Sequence, residues 1–286
     1  MAGPADATGT LTATKEMAVA EPQGVEDRVC IVTGAARGIG RAIGEALLDG
    51  GAKVCFADLD AARAEEVAEA NRARLNGHGD AVISAGVDVR DRGQVQAMIA
   101  RTAAAFGRLD VMFNNAGVNK PMNFLDVTEE NWHLIMDING LGCMIGIQEA
   151  ARQMIAQGGG GKIVNTASIA SRQGFDNVAP YCASKWAVVS LTQSAARDLA
   201  RHDITVTGFA PGVVATEMWE QVDRDLMEIG AAERPGQAME AFSADILRGR
   251  VARPSDVTGT TTFLASRASD YMTGQIVMID GGMTLV

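Results

Sequence analysis

No stretch of this 286-residue chain is long and apolar enough for a bilayer, which excludes a transmembrane helix. Basic charge is also short: 25 Lys and Arg face 35 Asp and Glu, leaving a formal net charge of −10. Nucleic acid and anionic membrane both need a basic face, so neither is expected as a partner. A small neutral or cationic ligand suits that balance better. Cysteine is scarce, and the four present (Cys30, Cys55, Cys143 and Cys182) lie far apart with no pair at metal-ligand spacing. Three of them sit in apolar strand or helix segments, so reduced, buried thiols are expected and no metal. Residues 1–24, rich in Ala, Thr, Gly and Pro, hold a single basic residue, Lys15, and no sustained apolar period. They read as a flexible N-terminal tail on a cytoplasmic protein, without the apolar run of a secretory signal or the arginines of a transit peptide.

What the chain does have is apolar content of 47% and 32 glycines, which suits one large domain, residues 25–286, with many tight strand-to-helix turns. Short apolar runs alternate with helical patterns throughout. Strands are expected at 29–32, 53–57, 82–88, 111–114, 162–166, 205–209 and 275–279. Between them come helices ending near Leu48 and over about 61–75, 94–106 and 129–157, then one from Tyr181 to about Arg201 and one at 255–264. A longer irregular stretch occupies 213–250. This alternation implies an α/β fold, a doubly wound parallel sheet with helices on both faces and ligands at the carboxyl ends of its strands.

Chemistry-bearing residues fall at those ends. After the first strand runs Thr33-Gly34-Ala35-Ala36-Arg37-Gly38-Ile39-Gly40, whose glycines permit a tight turn and bring backbone close to a pyrophosphate at a helix N-terminus. Asp58 closes the second strand, where a carboxylate can accept bonds from a ribose hydroxyl and repel a 2′-phosphate. It could instead be a helix cap, and Arg37 could pair with such a phosphate; the carboxylate is the more direct determinant, which favours NAD over NADP. Asn114-Asn115-Ala116-Gly117 closes the fourth strand with side chains able to bond neighbouring loops. Asn139 is a polar residue inside an apolar helix, explained either by a local kink or by a bound water. Ser168 ends the fifth strand, where a serine is otherwise a cap. Tyr181 and Lys185 stand four apart on one helical face, near enough for the ammonium to favour a phenolate. Free tyrosine titrates near roughly pH 10, so a proton shuttle at neutral pH needs such help.

Together and in this order, these motifs resemble the short-chain dehydrogenase/reductase family across nearly all of 25–286. Asp88-Val89 and Pro211-Gly212 followed by Thr216 complete the pattern. The resemblance implies a Rossmann-type single domain with a seven-stranded sheet, a homotetrameric assembly and NAD as the cofactor. It makes Tyr181 the general acid/base, has Lys185 lower its pKa and hold the nicotinamide ribose, lets Ser168 orient the substrate oxygen and gives Asn139 a water relay. Asp88 and Val89 would contact adenine, Asn115, Ala116 and Gly117 would flank the adenine ribose, and Val214 with Thr216 would bind the carboxamide. A secondary alcohol would pass its proton to Tyr181 and its hydride to the cofactor.

Within the family, Thr216-Glu217-Met218-Trp219 and the run from Asp270 to Gly282 are similar to acetoin/2,3-butanediol dehydrogenases. Tyr181 to Val214 is similar to bacterial sorbitol and galactitol dehydrogenases. Both handle vicinal hydroxyls, so the expected substrate is a vicinal diol or polyol. Ile169 departs from the glutamine those subfamilies carry after the serine, and points to a less polar pocket or a bulkier apolar alcohol, of 3-hydroxyacyl or steroid type. Asn119, Lys120, Gln173 and Asn177 are candidates for the missing polarity. Residues 213–250 carry eight acidic residues against four arginines, which disfavours an acidic carrier protein. Met218, Trp219, Leu226, Met227, Met239 and Phe242 would form the apolar underside of a lid. A non-catalytic NAD-binding sensor or scaffold on the same fold is argued against by the joint presence of Ser168, Tyr181, Lys185 and Asn139, and a lyase or epimerase by the intact glycine loop.

Overall fold

In a computed structural model that describes residues 24–75 and 79–285, seven strands form one parallel sheet in the order β3-β2-β1-β4-β5-β6-β7. They are β1 Val29–Thr33, β2 Lys53–Asp58, β3 Val82–Gly86, β4 Val111–Asn114, β5 Gly161–Thr166, β6 Ile204–Pro211 and β7 Ile276–Ile279. Apart from Gly24, the expected tail lies outside the described residues. The helices are α1 Gly38–Asp49, α2 Ala61–Arg74, α3 Arg92–Phe106, α4 Glu129–Met136, α5 Gly142–Gln157, α6 Ala179–Leu199, α7 Glu217–Glu228, α8 Gln237–Ser243 and α9 Ser255–Ala265.

Burial on both faces explains why the strands are continuous apolar runs. In β1, Ile31 packs into one core with α3, α5 and α6, while Cys30 and Val32 pack into the other with α1, α2 and α9. Strand order reverses between β1 and β4, which opens a crevice above their carboxyl ends. The glycine turn after β1, Asp58 at the end of β2, Asn114 to Gly117 after β4 and Ser168 after β5 all fall at the carboxyl ends of the strands. All four cysteines are buried and free, and burial raises the Cys55 thiol to about 11 and Cys143 to about 12.

Three boundaries differ from expectation. Strand β3 stops at Gly86, so Asp88 lies in the following turn. The single helix expected over 129–157 is broken by a π-helical turn, Asp137–Leu141, in which the Gly142 amide reaches back five residues to the Asp137 carbonyl. Asn139 lies within that turn. The stretch 213–250 is not irregular, since it contains α7 and α8. Val222, Leu226, Ala232 and Ala238 form their buried underside, with Trp219, Met227 and Phe242 packed against it.

Gly40 shows how tightly the first turn is built. A Cβ there would lie 2.2 Å from the Gly34 carbonyl oxygen and 2.5 Å from Asn115 Nδ2, and neither can retreat because Asn115 bonds the carbonyls of Thr33 and Gly34. Gly40→Ala is expected to cost roughly 1–3 kcal/mol through overpacking. Thermal unfolding measures that loss, and an unchanged melting temperature would refute it.

Candidate active site

The glycine turn leaves β1 through Gly34, at φ +65°, and enters α1 through Gly38, at φ +54°, conformations that glycine adopts without strain. No side chain caps the N-terminus of α1 and its first turn holds no acidic residue, so the helix presents amide donors and positive dipole to an anion. Ile39 packs into the core below. Thr33 Oγ1 accepts from the Asn115 and Ala116 amides at 3.0 and 3.1 Å, tying the end of β4 to the turn. Asn114 serves the sheet, donating to Asn165 Oδ1, and Asn165 in turn donates to Thr192 on α6.

Asp58 faces this turn, accepting the Ala36 amide at Oδ2, 2.9 Å, and the Asp60 amide at Oδ1, 3.1 Å. The cap of α2 is Asp60, which accepts from the Arg63 amide, so capping does not account for Asp58. Arg37 pairs with Glu217 at 3.1 Å. Asp88 is gripped by the Arg90 guanidinium, which holds its carboxyl below the usual range; Val89 stacks on Gly142, where a Cβ would come within 2.7 Å of its side chain.

Beyond β5, Ser168 Oγ accepts the Ala170 amide at 3.1 Å and so also caps a short 3₁₀ turn. Proline near the start of α6 fixes the helix entry, and Tyr181 and Lys185 follow on the face toward the crevice. Lys185 is buried and donates from Nζ to the Thr166 carbonyl at 2.8 Å, with Nζ 5.6 Å from the centre of the Tyr181 ring. Burial lowers its pKa to about 8. Tyr181 shifts the opposite way from expectation: burial raises its phenol, with a side-chain hydrogen bond from Ser168 opposing. The ammonium is spent on a carbonyl and sits over the ring rather than against the phenol oxygen, so within the polypeptide the phenol is held protonated. Asn139 is fully engaged: Oδ1 accepts the Val118 amide at 2.8 Å, and Nδ2 donates to the Val118 carbonyl and to Ser184 Oγ. Its side chain braces the loop that carries Gly117. A Cβ on Gly117 would reach to 3.2 Å from Asn139 Oδ1 and 3.6 Å from Lys185 Nζ, narrowing the channel beside the ammonium.

On the far side, Pro211 ends β6 and the Gly212 amide donates to Ile279 at 3.1 Å. Val214 forms an isolated parallel bridge with Ala252, and Thr216, preceding α7, sets its methyl against Gly38. A cavity of about 80 Å³ opens beside these segments, and Ser168 and Tyr181 line it. Ile169, Phe175, Trp219 and Phe242 make its walls apolar, as the departure at Ile169 suggested. Of the four polar candidates only Asn119 lines it, and its Oδ1 is buried with no hydrogen-bond partner. Lys120 and Gln173 are exposed, and Asn177 holds a left-handed turn at φ +63° whose carbonyl accepts the Met122 amide. Sequence reasoning missed Phe175 and Val222 in this wall, and missed Arg63, which reaches Glu217 from 154 positions away with no local signal.

The unoccupied acceptor lone pairs of Asp58, the uncapped α1 terminus and the glycine-lined channel to Lys185 suit a dinucleotide laid across the switch point. Fold and site thus define an oxidoreductase of the doubly wound, dinucleotide-binding class. A family model described as Enoyl-(Acyl carrier protein) reductase matches residues 34–284. The chain is 38% identical to a diacetyl reductase [(S)-acetoin forming] of Staphylococcus epidermidis, over 90% of this chain and 98% of that one. It is 40% identical to the galactitol 2-dehydrogenase of Agrobacterium fabrum over the same shares. A short-chain type dehydrogenase/reductase from Mycobacterium marinum superposes with a TM-score of 0.81 at 33% identity, covering 92% of this chain and 98% of the other. The chain belongs to the short-chain dehydrogenase/reductase family and acts on CH–OH groups, with the nicotinamide cofactor general to that family. Among the described residues no helix is long and apolar enough to cross a membrane.

Proposed function

We propose that this protein is an NAD-dependent dehydrogenase that interconverts a short vicinal diol or hydroxyketone and its ketone. The observation that carries the substrate is Asn119, which lines an otherwise apolar cavity together with Ser168 and Tyr181 and whose buried Oδ1 has no partner. A substrate oxygen bonded by Ser168 and Tyr181 leaves its neighbouring hydroxyl to donate to Asn119 once that side chain turns its Oδ1 into the cavity, and an acceptor otherwise left unpaired penalises any ligand lacking that donor. The cavity is far smaller than the roughly 300–1,000 Å³ of drug-sized pockets, which favours a short chain over a steroid-like or long acyl skeleton. Its apolar walls favour a short diol over a hexitol. The relatives acting on diacetyl and galactitol support the vicinal pattern. The acidic surplus over 213–250 speaks against an acyl carrier protein as the partner.

Nicotinamide, when bound, supplies the hydride acceptor or donor. Gly34, Arg37, Gly38, Ile39 and Gly40 form the phosphate-binding turn, and Asp58 takes the ribose hydroxyls. Asp88 and Val89, together with Asn115, Ala116 and Gly117, line the adenosine side; Pro211, Gly212, Val214 and Thr216 line the carboxamide side. Tyr181 moves the proton to or from the substrate oxygen, Ser168 orients that oxygen, Lys185 holds the nicotinamide ribose and keeps its charge over the Tyr181 ring, and Asn139 holds the loop that shapes the channel. Apolar side chains left at the surface along α4 to α6, among them Trp132, Leu134, Leu141 and Trp186, support a homotetramer. A cytoplasmic location accompanies this reading, since all four thiols are free.

The test is NADH production from butane-2,3-diol, sorbitol and plain secondary alcohols, together with an Asn119→Leu variant. Butane-2,3-diol should be turned over fastest, and the variant should lower its kcat/KM about tenfold, the value of one hydrogen bond to a buried acceptor, while butan-2-ol changes far less. Activity confined to steroid-like or 3-hydroxyacyl alcohols would overturn the reading.

A further inference from the structure

Glu217 is the first residue of α7, the helix that walls the substrate cavity, yet its carboxylate reaches across to the cofactor side. Arg63 of α2 holds it with both guanidinium nitrogens, Nη2 to Oε1 at 2.5 Å and Nη1 to Oε2 at 3.0 Å, and Arg37 of the glycine turn adds a bond to Oε2 at 3.1 Å. Hydrogen bonds from Arg63 and then Arg37 hold the Glu217 carboxyl below its ordinary range. Asp58 and Asp60 lie close enough to Arg63 to act on it electrostatically. The two guanidiniums therefore stand beside the carboxylate where the second strand ends, which is where a 2′-phosphate would arrive.

We propose that Glu217 is a specificity-determining residue that excludes NADP by occupying Arg37 and Arg63. The inference rests on the NAD reading and names a second determinant of it. Asp58 repels the 2′-phosphate directly, but two arginines within reach would offset that repulsion, because bidentate guanidinium–phosphate pairs are among the strongest polar contacts. A carboxylate already seated in both forks removes that compensation. A 2′-phosphate could recruit the arginines only by displacing Glu217, which would also pull on the first turn of α7 and so on the cavity wall. Neither local sequence nor the glycine pattern encodes this; it follows from the meeting of three segments at one carboxylate.

The experiment compares wild type with Glu217→Gln, titrating NADH and NADPH by fluorescence and competing the NADH signal with 2′,5′-ADP or 5′-ADP. Glutamine keeps size and helix position while releasing the cations. The expected result is about a tenfold gain in NADPH and 2′,5′-ADP affinity, a gain that weakens as salt rises, with NADH and 5′-ADP changed much less. Equal shifts for phosphorylated and unphosphorylated ligands would overturn the proposal and leave Glu217 as a brace of α7. No change in NADPH affinity would overturn it too. Wild type that already prefers NADPH would instead overturn the NAD reading, and that outcome is visible before any variant is made.

Discussion

Tyr181→Phe should lower kcat by roughly 10² to 10⁴, the usual contribution of a positioned acid/base group, while NADH binds as in wild type. Only a hydroxyl is removed. The ring remains packed with Ala170, Val178, Cys182 and Phe175, and Asp58, the glycine turn and Lys185 are untouched, so the fold and the cofactor groove persist. The direction of the Tyr181 shift adds a second arm. Burial holds the phenol protonated above its ordinary range, and the protonated form is the proton donor for ketone reduction. Alcohol oxidation requires the phenolate, so its kcat/KM should climb as pH rises toward the phenol pKa, while reduction should be favoured at neutral pH and decline on the alkaline side. Near-normal turnover by the phenylalanine variant, or pH profiles with the opposite slopes, would remove Tyr181 from the reaction.

The sequence was most legible where one residue type has one physical use. Glycines at 34 and 38 had to be glycines because the chain takes left-handed turns there, and seven apolar runs could only be buried strands once helices alternated with them. The Tyr181–Lys185 face followed from helical spacing alone. What stayed hidden depends on contacts between distant segments. The helical pattern from Glu129 to Gln157 carries no mark of the extra residue accommodated at Asp137–Leu141, because a π turn leaves the apolar period nearly intact. The helices within 213–250 were obscured by their acidic outer faces, whose buried stripe becomes evident only once α7 and α8 pack together. Asn119 could be placed in the pocket only by the fold, since Lys120 beside it points to solvent. The sign at Tyr181 was missed because spacing locates an ammonium near a phenol without showing that its nitrogen is committed to the Thr166 carbonyl.

That commitment leads to the second large effect, a trade of stability for chemistry at Lys185. Lys185→Met should reduce kcat/KM by on the order of 10², and adding Tyr181→Phe should cost little more, because groups that act as one unit are not additive. The same variant should be the more stable protein at neutral pH. In the folded chain burial lowers the Lys185 pKa from 10.5 to about 8. Below pH 8 both folded and unfolded chains carry the proton, and keeping that charge buried costs the folded state about 3 kcal/mol. Between pH 8 and 10.5 the unfolded chain binds more protons than the folded one, so wild-type stability should rise with pH across that window and level off above it. Methionine fills similar space without the charge, but leaves the Thr166 carbonyl without its donor, an offset of about 1–3 kcal/mol. The net gain near pH 7 should be about 1 kcal/mol, or a few degrees in Tm for a chain of this size. It should shrink and reverse as pH passes through 8 to 10.5, where wild type sheds its buried charge and methionine has nothing to shed. Unfolding curves for the two proteins at pH 7 and pH 10 decide this: a methionine variant destabilised equally at both would mean that Lys185 is held in place by net favourable contacts and that its burial stores no free energy for the reaction.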